Sequence, residues 1–506
     1  MTDVVIIGCG PVGALAANLL GRAGLSVVVL EKELDHYPLP RAVHIDHEML
    51  RLFQGAGVID RTLPDMVAAD GHLHIGGDHG VIRYMGTVGR PKPFGWANDW
   101  FFYQPELEAH LRAALADNGA ISLLTGAEFT GLSQDADGVS VRFTRNGAAQ
   151  ELRARWVIAA DGARSPVRKA LGVALDDLGF EEPWLVVDAE VEGPVSFPAL
   201  TGVPAGANLQ RLSVMMCDPA RPATVVPGRG NHRRWEFMLL PGEDDAAMMA
   251  PDRVGALVGA WMRDVPHRIV RAATYRFHGL VAERWQVGRV FLAGDAAHQT
   301  PPFFGQGMCH GLRDVANLAW KMAAVAHDGA DEAILATYQP ERDPHVRAVI
   351  GAAVAAGRYI CELDPARAAA RDAEIRAAAA QKAGETAADL IPAIGAGLVL
   401  PGTAGAGERF IQPVLDDGRR LDDLTGQGWR LFVRDDAMAE AMAGAIAGIV
   451  AARLPDGGAI GAWLDARGVD AVLVRPDHYV FGTAIGDAAD LIVARDALLH
   501  KLEPVA

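Results

Sequence analysis

The chain opens on an unbroken apolar run, VVII over residues 4–7, within a stretch (residues 3–7) that predicts a fully buried strand. Residues Gly8 to Gly13 predict a tight turn, 14–23 an alanine- and leucine-rich helix, and 26–30 (SVVVL) a second strand. Together they close a βαβ unit of about 30 residues. A helix is expected over 105–118, a hairpin over 128–144 with Asp137-Gly138 at its turn, and a buried strand over 153–160 running straight into Asp161-Gly162. From 181 to 279 the pattern changes to short alternating segments, at 185–193, 209–218 and 234–243, separated by turn clusters such as 227–231. Alternation of this kind marks an antiparallel sheet with two unlike faces. The α/β style then returns, with a strand-to-loop junction at 289–298 and a helix over 311–327. Residues 364–390 read as an alanine-rich helix, 392–406 as a linker, and the last 100 or so as a further α/β region.

Composition narrows the classes. At 506 residues the chain has room for two to four domains, and its 50% hydrophobic and 22% charged content is that of a globular protein. A formal charge of -16 argues against partners that need a basic surface, nucleic acid or an anionic membrane. The N-terminus lacks a cationic leader and reads as the first strand, and no stretch reaches the roughly 18 to 20 apolar residues that span a bilayer. The cysteines, Cys9, Cys217, Cys309 and Cys361, form no CxxC and no metal-like spacing, so they read as buried thiols. A cytoplasmic location, with no metal, is the expectation.

Three motifs carry chemistry. Gly8-Cys9-Gly10-Pro11-Val12-Gly13 is a GxGxxG between strand and helix, suited to a pyrophosphate at a helix N-terminus, and Glu31 ends the next strand where an acid can bind a ribose diol. This motif alone does not separate FAD from NAD. Asp161-Gly162-Ala163-Arg164-Ser165-Pro166-Val167-Arg168 follows a buried strand, where an unpaired charge would be costly. The third, Gly294-Asp295-Ala296-Ala297-His298 through Pro301-Pro302 to Gly305-Gln306-Gly307-Met308, offers an acid for sugar-like hydroxyls. It also offers glycine backbone for a flat ring.

In this order and spacing the three resemble the fingerprints of the class A flavoprotein aromatic hydroxylases, the para-hydroxybenzoate and phenol hydroxylase superfamily. The stretches PRAVHIDHEMLRLFQ (40–54), RRWEFMLLPGE (233–243) and GQGMCHGLRDVANLAWK (305–321) are similar to the 3-(3-hydroxyphenyl)propionate hydroxylase branch. The resemblance implies an α/β, Rossmann-like FAD-binding domain of the para-hydroxybenzoate hydroxylase type, assembled from 1–72, 100–180 and 280–360. An antiparallel β-sheet substrate domain (73–99 and 181–279) is inserted into it. A helical segment and linker (361–395) then lead to a thioredoxin-like domain over 396–506. That domain has no cysteine and so no dithiol chemistry.

Position by position, the resemblance implies that Gly8, Gly10, Pro11, Val12 and Gly13 hold the FAD pyrophosphate, with Glu31 and the adjacent Lys32 at the adenosine ribose. Arg41 would contact the pyrophosphate and Gln104 the ribityl-phosphate. Asp161, Gly162 and Arg164 would serve both FAD and a visiting NADH or NADPH. Gly294 and Asp295 would hold the ribityl chain, Pro302 would lie against the ring, and Gly305, Gln306, Gly307 and Met308 would offer it backbone amides. The implied reaction is hydroxylation of a small phenolic substrate by O₂ through a flavin C4a-hydroperoxide, with NAD(P)H as reductant. His44, Asp46, Arg211 and His278 are the candidates for a base or substrate contact, and Trp96, Trp184 and Trp235 for cavity walls. The alternatives are a flavin-dependent dehydrogenase or oxidase, or a non-catalytic flavin-binding protein. A homodimer is the assembly considered.

Overall fold

The computed structural model describes residues 1–36, 38–263, 265–381, 390–434, 449–453 and 458–500. Its central sheet is parallel where the apolar runs predicted burial: Val290–Leu292, the end of Ala148–Ala159, Thr2–Ile7, Val27–Glu31 and Ile121–Thr125 lie side by side. The predicted hairpin is there as Ala127–Gln134 and Val139–Arg145, the latter paired antiparallel to Ala148–Ala159. Helix Pro11–Arg22 packs against the long helix Gly307–His327, which begins four residues earlier than its hydrophobic pattern suggested. Their close approach depends on Gly311, because a Cβ there would lie 2.5 Å from Val12 and 2.9 Å from the Gly294 Cα.

A second eight-stranded sheet runs in the order 298–299, 267–282, 175–191, 232–238, 223–227, 213–216, 71–75, 81–86. It is antiparallel except that Ser213–Met216 runs parallel to Gly71–Ile75, a pairing that alternation cannot reveal. Strand periodicity sorts its side chains onto two faces. Leu185, Val187, Val214, Val225, Trp235 and Phe237 point outward into a core closed by helix Pro251–Met262. Trp184, Met215 and Met238 point the other way and share the core of the first sheet. Trp96 belongs to that same core and Trp235 to the outer one, so these two tryptophans are packing residues.

Helices Tyr338–Ile360 and Pro365–Gln381 follow. The end of the predicted alanine-rich helix, residues 382–389, lies outside the described residues. The C-terminal region holds a sheet in the order 449–453, 429–433, 471–474, 480–484. The first pair is parallel and the other two are antiparallel. No helix among the described residues is long and apolar enough to cross a membrane.

Candidate active site

Thr2–Ile7 delivers the chain to Gly8 at φ 97°, a conformation that favours glycine, and a Cβ there would also drive into the Ala160 carbonyl. A Cβ at Gly13 would collide with the Gly8 carbonyl, so helix and strand touch only because both are glycine. Gly10 caps the helix without a side-chain hydrogen bond, and open space surrounds the place where its Cβ would be. The first-turn amides thus face an unobstructed approach at the positive end of the helix. Glu31 accepts hydrogen bonds from Cys9 N (2.7 Å) and Glu33 N (3.0 Å), which orients the carboxylate and leaves lone pairs for a diol. Arg112, absent from any motif, donates from Nε to Cys9 O (2.9 Å) and sits 3.6 Å from Glu31. Lys32 is a surface residue beside Glu33.

Gln104 accepts the backbone N–H groups of Arg41 (3.1 Å) and Ala42 (2.6 Å) and donates to Glu108 (2.6 Å). These bonds fix the segment bearing Arg41. Asp161 accepts Val167 N (3.0 Å) through one oxygen, while the other is buried without a partner among the described residues. Gly162, at φ 83°, has nothing near its Cβ position, and Arg164 is exposed beside it. Arg168 ties this loop to the third motif by donating to Ala296 O and Ala163 O, both at 2.9 Å.

Asp295 accepts no hydrogen bond from a described residue; solvent reaches it, yet surrounding protein pushes its carboxyl above the usual range. That combination describes an acid in the floor of a cleft. In the loop beyond, Phe303, Phe304 and Gln306 are buried, whereas Pro302, Gly305, Gly307 and Met308 are half-buried and border the cleft. An open helix start, a second-strand acid, a cleft-floor acid and a glycine-lined loop fit an FAD from adenosine to ring.

The family comparison decides the matter, because the family model of an FAD binding domain matches residues 1–353. This chain belongs to the FAD-dependent aromatic hydroxylases. It is 35% identical to a probable NADH-specific resorcinol 4-hydroxylase of Rhodococcus jostii, over 99% of this chain and 96% of that one. It is 36% identical to 3-(3-hydroxy-phenyl)propionate/3-hydroxycinnamic acid hydroxylase 2 of Burkholderia vietnamiensis, over 95% and 93%. A crystal structure of aklavinone-11 hydroxylase with FAD and aklavinone is similar at TM-score 0.77 and 25% identity, covering 98% of this chain and 99% of that one.

In this hydroxylase the four candidates for base or substrate contact do not converge. His44 adjoins the cleft: a Cβ on Gly305 would lie 2.5 Å from its Nδ1. Its Nε2 meets Asp99 at 2.9 Å, and that carboxylate holds the imidazole above its ordinary range despite burial. His72 stands 5.4 Å away between ring centroids, and burial pushes it down to about 4. The donor atoms of His44, His72 and Asp99 all lie within 4.8 Å of one another. Neither His72 nor Asp99 belongs to a recognised motif, and the antiparallel pairing of Asp99–Phe102 with His44–Asp46 and Met66–Ala68 that gathers this cluster is a long-range feature.

Asp46 lies elsewhere. It caps helix His47–Gly55 by accepting Glu48 N and pairs with Arg313 at 2.5 Å, so its carboxyl is held well below the usual range. Arg211 pairs with Asp70 (2.9 Å) and is 43% exposed, a surface bridge rather than a cleft residue. His278 lies opposite Glu181 in the long ladder that pairs Leu280 with Gln299. That register carries its strand end toward the Pro301-Pro302 turn. Trp184 is fully buried and packs edge-on against Phe303 of the third motif, with ring centroids 5.9 Å apart.

Proposed function

We propose that this hydroxylase places one oxygen atom of O₂ on the ring of a small phenol, with NADH as the electron donor. The observation that carries the reading is the enclosure of the ring-binding loop. Pro302 to Gly305 is faced by Trp184 and Phe277 from the inserted sheet and by His44 from the second βα segment. These contacts back the loop with buried aromatic side chains, the setting in which water is kept from a reactive oxygen species. The bound FAD supplies electron transfer and oxygen activation. The protein's own part is to hold the phenol against the loop, exclude water and manage the hydroxyl proton. Phenols are the substrates in the names of the Rhodococcus and Burkholderia relatives, and NADH specificity is in the name of the former.

Asp161, Gly162 and Arg164 we assign to the visiting nicotinamide as well as to FAD, on the orphaned Asp161 oxygen and the exposure of Arg164. For the C-terminal region we propose a thioredoxin-like fold, supported by its strand order and mixed pairing, with a structural role since it carries no cysteine. The deciding experiment is NADH oxidation and O₂ uptake across a panel of resorcinols and hydroxyphenylpropionates, with product identified by mass. Substrate-dependent oxidation that yields a product heavier by one oxygen is the expected result. Oxidation with only H₂O₂ formed, for every phenol, would mean an oxidase instead.

A further inference from the structure

The inserted sheet presents one carboxyl to this site that no motif marks. Strand His232–Met238 alternates, with Trp235 and Phe237 outward in the sheet's own core and Arg234, Glu236 and Met238 inward. Both inward neighbours of Glu236 are anchored to the flavin domain. Arg234 pairs with Asp188 and donates to Arg41 O (2.5 Å) and Pro40 O (3.1 Å). Met238 pairs across strands with Trp184, whose ring is 5.9 Å from Phe303. Glu236 therefore lies on the same inward face, between the anchor to the Pro40–His44 segment and the one that leads to Phe303. Its cross-strand neighbours are Thr224 and Val186. The Thr224 Oγ1 is buried with no partner, and the Glu236 carboxyl, 8% exposed, has neither hydrogen bond nor ion pair among the described residues. A structural acid so placed would be expected to be paired.

Resting on the phenol hydroxylase reading, we propose that Glu236 is the base that accepts the proton of the substrate's ring hydroxyl, with Thr224 as a positioning hydroxyl beside it. The phenolic O–H bond breaks, its electron pair stays on the oxygen, and the proton forms an O–H bond on the carboxylate. No electron is gained or lost in the step. The phenolate then enriches the ortho and para carbons, where the incoming oxygen is to be bonded, and the proton later returns to solvent.

Burial pushes the Glu236 carboxyl up to about 7, so both of its forms are populated near neutrality, as a proton shuttle requires. The charges acting on it are Arg234 on its own strand and Asp188 on the next, of opposite sign. The 40–44 segment contributes Arg41 and His44 as ionisable groups, and the Pro302–Phe304 loop contributes none.

The test uses the FAD-loaded enzyme, Glu236→Gln and Glu236→Asp, with an ordinary phenol accepted as substrate and its fluorinated analogue, which is already ionised at the assay pH. In Glu236→Gln, FAD content and flavin reduction stay within about twofold, while product-forming rate with the ordinary phenol falls about 100-fold. The ionised analogue restores most of that loss, which a distorted pocket would not allow. Equal losses for both phenols, or no loss, overturn the proposal. Should Glu236→Gln fail to fold, the parent enzyme decides. Product formation from the ordinary phenol must rise through about pH 7 while that from the ionised analogue stays flat, and two parallel profiles overturn the assignment. Glu236→Asp must keep the pH rise at reduced rate, and its loss counts against Glu236. A parent enzyme that hydroxylates no phenol refutes the function itself, and the assignment with it; a parent that does so, with a variant that behaves identically, refutes Glu236 alone.

Discussion

Two buried polar regions of this hydroxylase differ in one respect, and the difference separates structure from chemistry. Along the seam where the C-terminal region meets the flavin domain, buried charges are matched. Arg313 binds Asp46 (2.5 Å) and Glu48 (2.8 Å), Arg51 and Arg430 share Asp422 (both 2.6 Å), and Arg475 and Lys321 meet on Glu341 (2.6 and 3.0 Å). On the inward face of the inserted sheet Arg234 and Asp188 are paired (2.8 Å), but a set of polar groups beside them is not. Both nitrogens of His72, Nε2 of His74 and Oγ1 of Thr224 are buried without partners, and Glu236 has none either. Matched charges repay their desolvation within the protein. Unmatched groups carry that cost until something else binds.

The comparison breaks most visibly at the seam. Arg313→Leu strands Asp46 as a buried acid without an ion-pair partner and leaves Glu48 only Arg409 (3.4 Å) and the Tyr479 hydroxyl (3.1 Å), so unfolding free energy should drop by about 3–5 kcal/mol. Chemical denaturation monitored by circular dichroism measures it, and a loss under 1 kcal/mol would show that the seam is not held by its charges.

On the sheet face the sign reverses. Because the folded carboxyl of Glu236 lies near 7, above its unfolded value of about 4.3, stability is full below pH 4.3 and falls as pH rises through 7. Glu236→Gln removes that loss, so the variant should gain up to about 3.5 kcal/mol over the parent at pH 8 and nothing below pH 4. Parallel melting curves at the two pH values check this, and equal differences at both would place the Glu236 pKa at its ordinary value.

The cleft floor gives the third contrast. Asp295→Ala deletes an acceptor from the assigned ribityl site and should weaken FAD binding by roughly 10- to 150-fold, the equivalent of about 1.5–3 kcal/mol for a charged hydrogen bond. Fluorescence titration of apoprotein reads it directly, and unchanged affinity removes Asp295 from the cofactor site. The smallest effect is expected at the thiols. Burial pushes Cys9 and Cys217 up to about 12, so neither supplies a thiolate at neutral pH. Replacing all four cysteines by serine or alanine should leave turnover within about twofold in protein that still folds.

The chain's local chemistry determined the dinucleotide turn, the local form of the three motifs and the family. A positive-φ glycine, an acid ending a strand and a proline-rich loop are each specified by a handful of adjacent residues, and they stand where that spacing implies. The same holds for the strands that alternation and apolar runs announced. What contiguous sequence could not specify is which acid is already spoken for. Asp46 and Arg313 are 267 positions apart, so Asp46 reads as a free carboxylate beside His44 until the fold supplies its partner. Arg211, likewise, meets Asp70 across 141 positions. Glu236 sat in a stretch, RRWEFMLLPGE, whose periodicity showed two faces but not what each would meet. Only the packing of the inserted sheet against the Pro40–His44 segment and the Pro302–Phe304 loop made it a buried, unpaired group. Desolvation and pairing depend on neighbours brought together from distant parts of the chain, and these, rather than residue type, decide where a proton can be held.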